Sequence, residues 1–424
     1  MRRAGLYLLV GCVWLIVLAA MFYLVAKPVR DPSLDFFSYY IGASAIDQGK
    51  PLYARETHES LAAAWGLQMA APYPYPPTLA VLLQPVVLVS PYVASLLWLG
   101  VNVVLLMIGV GLLFKQSDLR HAGSRVALLL LPVLFTPVLM NLYLGNVNLL
   151  LLVLIILAYL AFMRGRPLAS GAFLALAVWI KLWPATLIAY FAWKREWRAV
   201  RGALIGLLLV GLVTIAVAGA GQTTSYFTSR LPQIAHGRYP GLDHLNQSVP
   251  GVFAKLFSPS SQYVQPLIQS RTLATQGGRL TTLLIIVATV LLSSWPIALK
   301  GRDQFATEFI LVVIATMLII GRLWDTSLTL LLPAYYFLAQ EWERGPSARW
   351  KQVALPAASI VLIDLHRVLW TFANPDKQAW PAILLISPFL GLMLMWLIFV
   401  AKRVREVRAL KGGYLGESVE LDAV

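Results

Sequence analysis

A single cysteine, Cys12, closes no intramolecular disulfide, and it lies inside an apolar run where a small packing side chain is the plain reading. Charge is scarce too. Asp, Glu, Lys and Arg make up 12% of the chain, and Asp and Glu together number 19. The histidines at positions 58, 121, 236, 244 and 366 are scattered, with no HxxxH or HExxH spacing, so no metal set is readable. There is no P-loop and no GxGxxG opening a helix after a strand, which leaves nucleotide use without support. No internal repeat is visible, and an inverted-repeat transporter loses its usual signature.

What is abundant is apolar surface. Hydrophobic residues reach 59%, against about 45–50% in a soluble domain. A soluble chain of this size with so few charges would expose patches large enough to aggregate, and a lipid bilayer removes that problem. The net charge of +15 invites a nucleic-acid reading. Its distribution excludes one. Lys and Arg sit in short clusters between apolar runs, among them Arg2, Arg3, Lys115, Lys194, Arg195, Lys402 and Arg403, as the positive-inside rule arranges them.

The pattern predicts an all-α polytopic membrane protein of about twelve spanning helices. The run Leu6 to Ala26 follows Met1-Arg2-Arg3 and reads as a retained anchor, being longer than a signal-peptide core. Further runs lie near 92–114, 125–141, 145–163, 168–181, 184–193, 202–220, 279–299, 305–321, 326–340, 352–370 and 381–401. Two of them, 168–181 and 184–193, are too short to cross ~30 Å of hydrocarbon, and they read as a broken pair or as spans stopping at a polar cavity near Lys181. The basic loops place both termini in the cytoplasm, in the cell inner (plasma) membrane, and put two long segments, 27–91 and 221–278, outside. The first has helix-like stretches near 38–48 and 56–70, followed by Pro72-Tyr73-Pro74-Tyr75-Pro76-Pro77. The second ends in an amphipathic stretch, Val249 to Phe257. Residues 1–410 read as one transmembrane domain, and 411–424 as a polar, disordered cytoplasmic tail.

Ionisable residues near span ends are where chemistry is expected. Asp35, just past the first span among aromatics, is either a general base or the carboxylate that caps the helix beginning near Ser38. Both readings stay open. Asp31, Asp47 and Glu56 have weaker claims. Lys181, between Trp179 and Trp183 with Pro184 breaking the helix, is read as a contact for an anionic head group rather than as a snorkelling cation. Arg322 sits similarly in Gly321-Arg322-Leu323-Trp324-Asp325, with an ion pair to Asp325 as its competing explanation. A third group comprises His236, Arg238, Tyr239, Asp243 and His244, then Asn246-Gln247-Ser248, whose donors suit phosphate or sugar hydroxyls. An ordinary polar loop looks much the same, and the last three residues also match a glycosylation sequon.

Asp35, Tyr40, Gly49-Lys50-Pro51-Leu52-Tyr53, Tyr75-Pro76-Pro77 and Pro85 together resemble the first outer loop of a known family. So do Gly145-Asn146-Val147-Asn148 opening a helix, Ser170-Gly171 through Lys181-Leu182-Trp183-Pro184, and Asn246-Gln247-Ser248. The family is glycosyltransferase family eighty-seven of the GT-C superfamily, whose members use polyprenyl-phosphate sugars and include α-1,2-mannosyltransferases of bacterial cell-envelope glycolipids. The resemblance covers about residues 30 to 335. It implies an inverting hexosyl transfer on the extracytoplasmic face, with Asp35 as base and with Lys181, Arg322, His244 and Arg238 near the donor phosphate. Tyr40, Tyr75, Asn146, Asn148, Asn246, Gln247, Trp324 and Asp325 would line the substrate site. It further implies a polyprenyl-phosphate sugar donor (mannose by family frequency, arabinofuranose second), a glycolipid or glycan acceptor, no nucleotide or other cofactor, and no obligatory metal. One departure stands out: the family often has Asp-His after the late tryptophan, and here Trp324-Asp325 is followed by Thr326.

Other functional classes remain in view. In a transporter or flippase of lipid-linked glycans, Lys181 and Arg322 would line a path instead of a reaction centre. A membrane scaffold is disfavoured, because scaffolds rarely keep several ionisable groups at helix ends.

Overall fold

The computed structural model describes residues 2–26, 35–66, 73–235, 245–258, 264–295, 302–344, 350–373 and 380–421. His244, Arg238 and their neighbours His236, Tyr239 and Asp243 lie outside the described residues, as does Asp31. In chain order the helices are α1 (Arg2–Ala26), α2 (Asp35–Asp47), α3 (Arg55–Ala64), α4 (Pro77–Leu82), α5 (Pro91–Gln116), α6 (Ala122–Leu134), α7 (Thr136–Leu144), α8 (Asn148–Met163), α9 (Pro167–Ile180) and α10 (Ala185–Trp193). They continue as α11 (Trp197–Ala218), α12 (Ala220–Ser225), α13 (Leu231–Ala235), α14 (Val249–Phe257), α15 (Gly278–Ser293), α16 (Arg302–Ile319), α17 (Leu332–Arg344), α18 (Trp350–Ala373), α19 (Ala382–Leu385) and α20 (Ser387–Leu421). Two-residue strands, β1 (Val264–Gln265) and β2 (Trp380–Pro381), pair in parallel.

The chain is an all-α polytopic membrane protein. Six helices are long and apolar enough to cross a bilayer, and α6 with α7, bent by 41°, can act as a seventh span. The expected twelve are not reached by that measure among the described residues. The apolar helices α8, α9 and the 304–319 part of α16 fall below 18 residues. At 1.5 Å per residue, helices of that length cover less than ~30 Å of hydrocarbon when straight. Apolar side chains on α1, α5, α11 and α15 that would be a liability in water, such as Leu8, Leu97, Leu208 and Leu291, face outward, as lipid contact requires.

The described residues pack as two compact units. The first contains Met1–Ala185, Arg201–Leu242 and Thr326–Ala348. At its centre α2 is buried from Phe36 to Ala45, which explains why its sequence shows no polar stripe. Gly42 makes this possible, because a Cβ there would stand 2.8 Å from the Tyr73 ring. Three glycines of α11 meet α9 closely: a Cβ would stand 2.1 Å from the Leu168 carbonyl oxygen at Gly202, 2.7 Å from Ala175 Cβ at Gly206, and 2.8 Å from the Trp179 ring at Gly211. Small residues in register let membrane helices approach until their backbones nearly touch. Helix α9 stops where the sequence says it should. Lys181 adopts an extended conformation, and Pro184 prevents the chain from resuming a helix before Ala185.

The second unit contains Thr186–Val200, Asp243–Asp325 and Arg349–Val424. Here α18 packs on α20 at Gly391, where a Cβ would stand 2.7 Å from the Ser359 carbonyl oxygen, and the Ser359 hydroxyl donates to the Gly391 carbonyl at 2.8 Å. A buried charge cluster ties the unit together. Glu308 on α16 accepts from Lys194 Nζ at 2.9 Å, from the Tyr190 hydroxyl at 2.9 Å, and from Arg403 of α20. Helix α14 begins at a Ser248 cap whose Oγ accepts from the Gly251 N–H, with Pro250 already suited to the first turn.

Candidate active site

The first unit brings Asp35 and Lys181 into one hydrogen-bonded circuit. Asp35 is the first residue of α2, where the helix dipole favours a carboxylate. Its Oδ2 accepts from Asn146 Nδ2 at 2.5 Å. Asn146 Oδ1 in turn accepts from the Asn148 backbone N–H at 3.1 Å, an Asx turn that opens α8. Asn148 Oδ1 accepts from Lys181 Nζ at 2.7 Å, and Asn148 Nδ2 donates to the Thr326 hydroxyl at 3.3 Å. The Lys181 ammonium stands 5.4 Å from the centre of the Tyr75 ring, within cation–π range. Tyr39, one helical turn after Asp35, donates its hydroxyl to the Tyr75 hydroxyl at 3.2 Å. Asp35 and Lys181 are each half-buried, so neither is sealed from a ligand.

Gly145 makes the turn possible. It ends α7 with φ +68°, a left-handed conformation, and its carbonyl accepts from Trp98 Nε1 at 2.7 Å. The Tyr75 ring is placed by its neighbours. Arg230 Nε donates to the Tyr73 carbonyl at 3.0 Å, the Tyr53 hydroxyl to the Tyr75 carbonyl at 2.9 Å, and the Tyr73 hydroxyl to the Pro76 carbonyl at 2.8 Å. The proline-rich passage is thus pinned at three carbonyls. Burial, with Tyr75 and Asp35 next in importance, raises the Tyr39 phenol well above its ordinary value, so it keeps its proton and acts as a donor. Tyr40 contributes less to the circuit: it is fully buried and donates its hydroxyl to the Val89 carbonyl at 2.9 Å.

The remaining candidates belong to the second unit. Asn246 works as a brace. Its Oδ1 accepts from the N–H groups of Ser248 (3.1 Å) and Leu323 (2.9 Å), and its Nδ2 donates to the Gly321 carbonyl at 2.9 Å. An amide committed in this way and buried is no glycosylation acceptor, which disposes of the sequon. Gln247 is fully buried, donates its backbone N–H to the Leu323 carbonyl at 2.6 Å, and donates Nε2 to the Leu385 carbonyl at 3.1 Å. Asp325 accepts from Arg367 Nε at 2.7 Å, a partner on α18 that its sequence neighbours do not reveal. Arg322 and Trp324 are half-buried in the same segment. Burial pushes the Lys255 ammonium of α14 down to about 7, against the opposing pull of Asp325.

Sequence reasoning missed Arg230, Tyr39, Lys255 and Arg367. Arg230 carried a signal, being a cation in the long segment 221–278, near the aromatics Tyr226 and Phe227. Thr326, the departure from the expected histidine, turns out to hold the Asn148 amide by its hydroxyl and the Asn141 amide by its carbonyl at 2.5 Å. Among the described residues no three side chains of His, Cys, Asp or Glu come together. The groups at the circuit are a carboxylate, two amides, an ammonium and phenols. They equip it to take a proton at one end and to hold an anion at the other.

The fold and this circuit define a polytopic membrane protein whose Asp35 and Lys181 are wired through one asparagine turn. The sequence model of the family described as Glycosyltransferase family 87 matches residues 73–321, and the chain belongs to that family. The matched stretch includes Asn146, Asn148 and Lys181, and Asp35 precedes it. Among characterised relatives, a polyprenol-phosphate-mannose-dependent alpha-(1-2)-phosphatidylinositol mannoside mannosyltransferase of Mycobacterium tuberculosis is 28% identical over 277 residues, 60% of this chain and 61% of the relative. A protein of the same description from Mycolicibacterium smegmatis is 25% identical over 237 residues, 53% of this chain and 52% of the relative. A polyprenol-phosphate-mannose-dependent alpha-(1-2)-phosphatidylinositol pentamannoside mannosyltransferase of Mycolicibacterium smegmatis is 26% identical over 400 residues, 91% of this chain and 90% of the relative. The aligned part thus spans about three fifths of the first of these relatives and about half of the second.

Proposed function

We propose that this chain is a glycosyltransferase that moves a hexose, mannose first, from a polyprenyl-phosphate sugar to a glycolipid acceptor, with inversion at the anomeric carbon. Asp35 removes the proton from the acceptor hydroxyl as that oxygen attacks the anomeric carbon. The bond from that carbon to the phosphate oxygen breaks, and polyprenyl phosphate leaves as an anion beside Lys181. A positioned base contributes about 10²–10⁴-fold to such a step. A fixed cation where charge develops lowers the barrier further. The names of the relatives support mannose as the sugar and a phosphatidylinositol mannoside as the acceptor class. The basic loops support an active site on the extracytoplasmic face of the plasma membrane with both termini in the cytoplasm.

The observation that carries this reading is the circuit itself: a carboxylate, Asp35, and an ammonium, Lys181, bonded to the side chains of two asparagines of one turn, with Asn146 Nδ2 at 2.5 Å and Asn148 Oδ1 at 2.7 Å. The test is turnover of polyprenyl-phosphate mannose by purified Asp35→Asn protein. The expected result is a loss of about 10²-fold or more in kcat with donor binding retained. Near-normal turnover would remove Asp35 from the base role.

A further inference from the structure

The general-base reading of Asp35 is the premise here, and the turn between α7 and α8 adds to it. We propose that Asn146 and Asn148 are positioning residues, Asn146 for the Asp35 carboxylate and Asn148 for the Lys181 ammonium, and that neither is spent on the substrate. Both ends of each amide are already engaged inside the protein. Asn146 Oδ1 takes the Asn148 backbone N–H, so the end that faces Asp35 is the donor Nδ2. Asn148 Oδ1 takes Lys181, so the end that faces the Thr326 hydroxyl is Nδ2. The network therefore fixes the amide orientations without ambiguity. Phe36 and Trp98 pack against Gly145, and the Val147 backbone hydrogen-bonds the Tyr39 hydroxyl, so the turn is held on both sides.

The choice of amides has a chemical reason. A cation in direct contact with Asp35 would bind the carboxylate as an ion pair and weaken it as a base. A carboxylate in direct contact with Lys181 would cancel the charge meant for phosphate. An asparagine beside each fixes its direction and adds no charge of its own. One short turn thereby holds base and cation together, so the distance between the attacking hydroxyl and the leaving phosphate is set by two residues of backbone.

The experiment measures kcat, donor KM and the pH–rate profile of purified Asn146→Ala, Asn146→Asp, Asn148→Ala and Asn148→Asp proteins with polyprenyl-phosphate mannose. Asn146→Ala is expected to lower kcat by about 10²-fold, since the base loses its aim, with donor KM within about threefold. The acid limb of its profile should move to higher pH, because a hydrogen bond to the ionised carboxylate is gone. Asn146→Asp, nearly isosteric, should move that limb further, and it serves where the alanine protein fails to fold. Asn148→Asp is expected to raise donor KM by roughly tenfold or more, and by more than Asn148→Ala, since it neutralises Lys181. A turn that mattered only for folding would lower kcat and raise KM in parallel with Tm and leave the acid limb in place, and that result would overturn the inference. Asp35→Asn separates the two levels. Full activity in that protein removes the base reading, whereas an inactive Asp35→Asn beside unaltered Asn146 profiles removes only the positioning roles.

Discussion

Trp98 Nε1 donates to the carbonyl oxygen of Gly145 at 2.7 Å, and the same glycine could carry no side chain, since a Cβ would stand 2.8 Å from Phe36 Cβ and 3.2 Å from the Trp98 ring. Two constraints meet there, a left-handed φ of +68° and a closed space. Gly145→Ala is therefore expected to cost at least about 1–3 kcal/mol from the backbone alone. Because Asn146 follows directly, activity should fall more than the loss of stability explains. Thermal melting and turnover of the purified variant check both.

Glu308 answers two buried cations, Lys194 and Arg403, with all three side chains fully buried. Glu308→Ala would remove the buried carboxylate that both share, with Glu406 still beside Arg403. Breaking a buried pair costs about 3–5 kcal/mol. By contrast, Lys402→Ala, which removes a partly exposed partner of Glu406, should cost about 1 kcal/mol or less. Equal melting temperatures for the two variants would contradict this ranking.

The α9–α11 contact gives a third prediction. Gly206→Leu must push α11 away from Ala175, which a Cβ would already meet at 2.7 Å. Overpacking at such a seam costs about 1–3 kcal/mol. Gly221→Leu, where a Cβ would find nothing within 4 Å, is the control and should melt close to the parent protein.

His58 supplies a pH dependence. It is buried, its Nε2 lies 2.7 Å from the Leu52 carbonyl, and burial lowers its pKa, with Arg230 adding to the shift and the Leu52 bond opposing it. The unfolded chain then takes up the proton first. Stability is complete above the unfolded value of about 6.5 and is lost progressively as pH falls below it toward the lower folded value. His58→Gln, which does not titrate, should flatten that part of the melting-temperature profile. An unchanged slope between the two proteins would show that His58 is not the titrating group.

Much of this protein was legible along its chain. Apolar run lengths predicted the helices at 91–116, 148–163 and 197–218 to within a few residues. Pro184 marked the break after Lys181, and the amphipathic stretch at Val249–Phe257 became a helix with those bounds. Asp35 and Lys181 were visible as charged residues beside apolar runs, since a bilayer makes such residues costly and therefore conspicuous, and Asn146 and Asn148 were marked by the family resemblance. Glu308 sent the same signal from inside its apolar run and went unread.

Which of these groups touch was a matter for the tertiary structure. Asp35 and Asn146 are 111 positions apart, and their 2.5 Å bond exists because α2 is buried against the turn at Gly145. Asp325 also has a partner that sequence proximity does not reveal, Arg367 of α18, 42 positions away. Asn246-Gln247-Ser248 reads as a ligand-facing loop and folds into a backbone brace. Composition and periodicity report how each segment meets its solvent, lipid or water, because that is a property of the segment alone. Hydrogen bonds between side chains depend on helix packing, where the small size of a residue such as Gly42 or Gly145 decides which distant groups come within 3 Å.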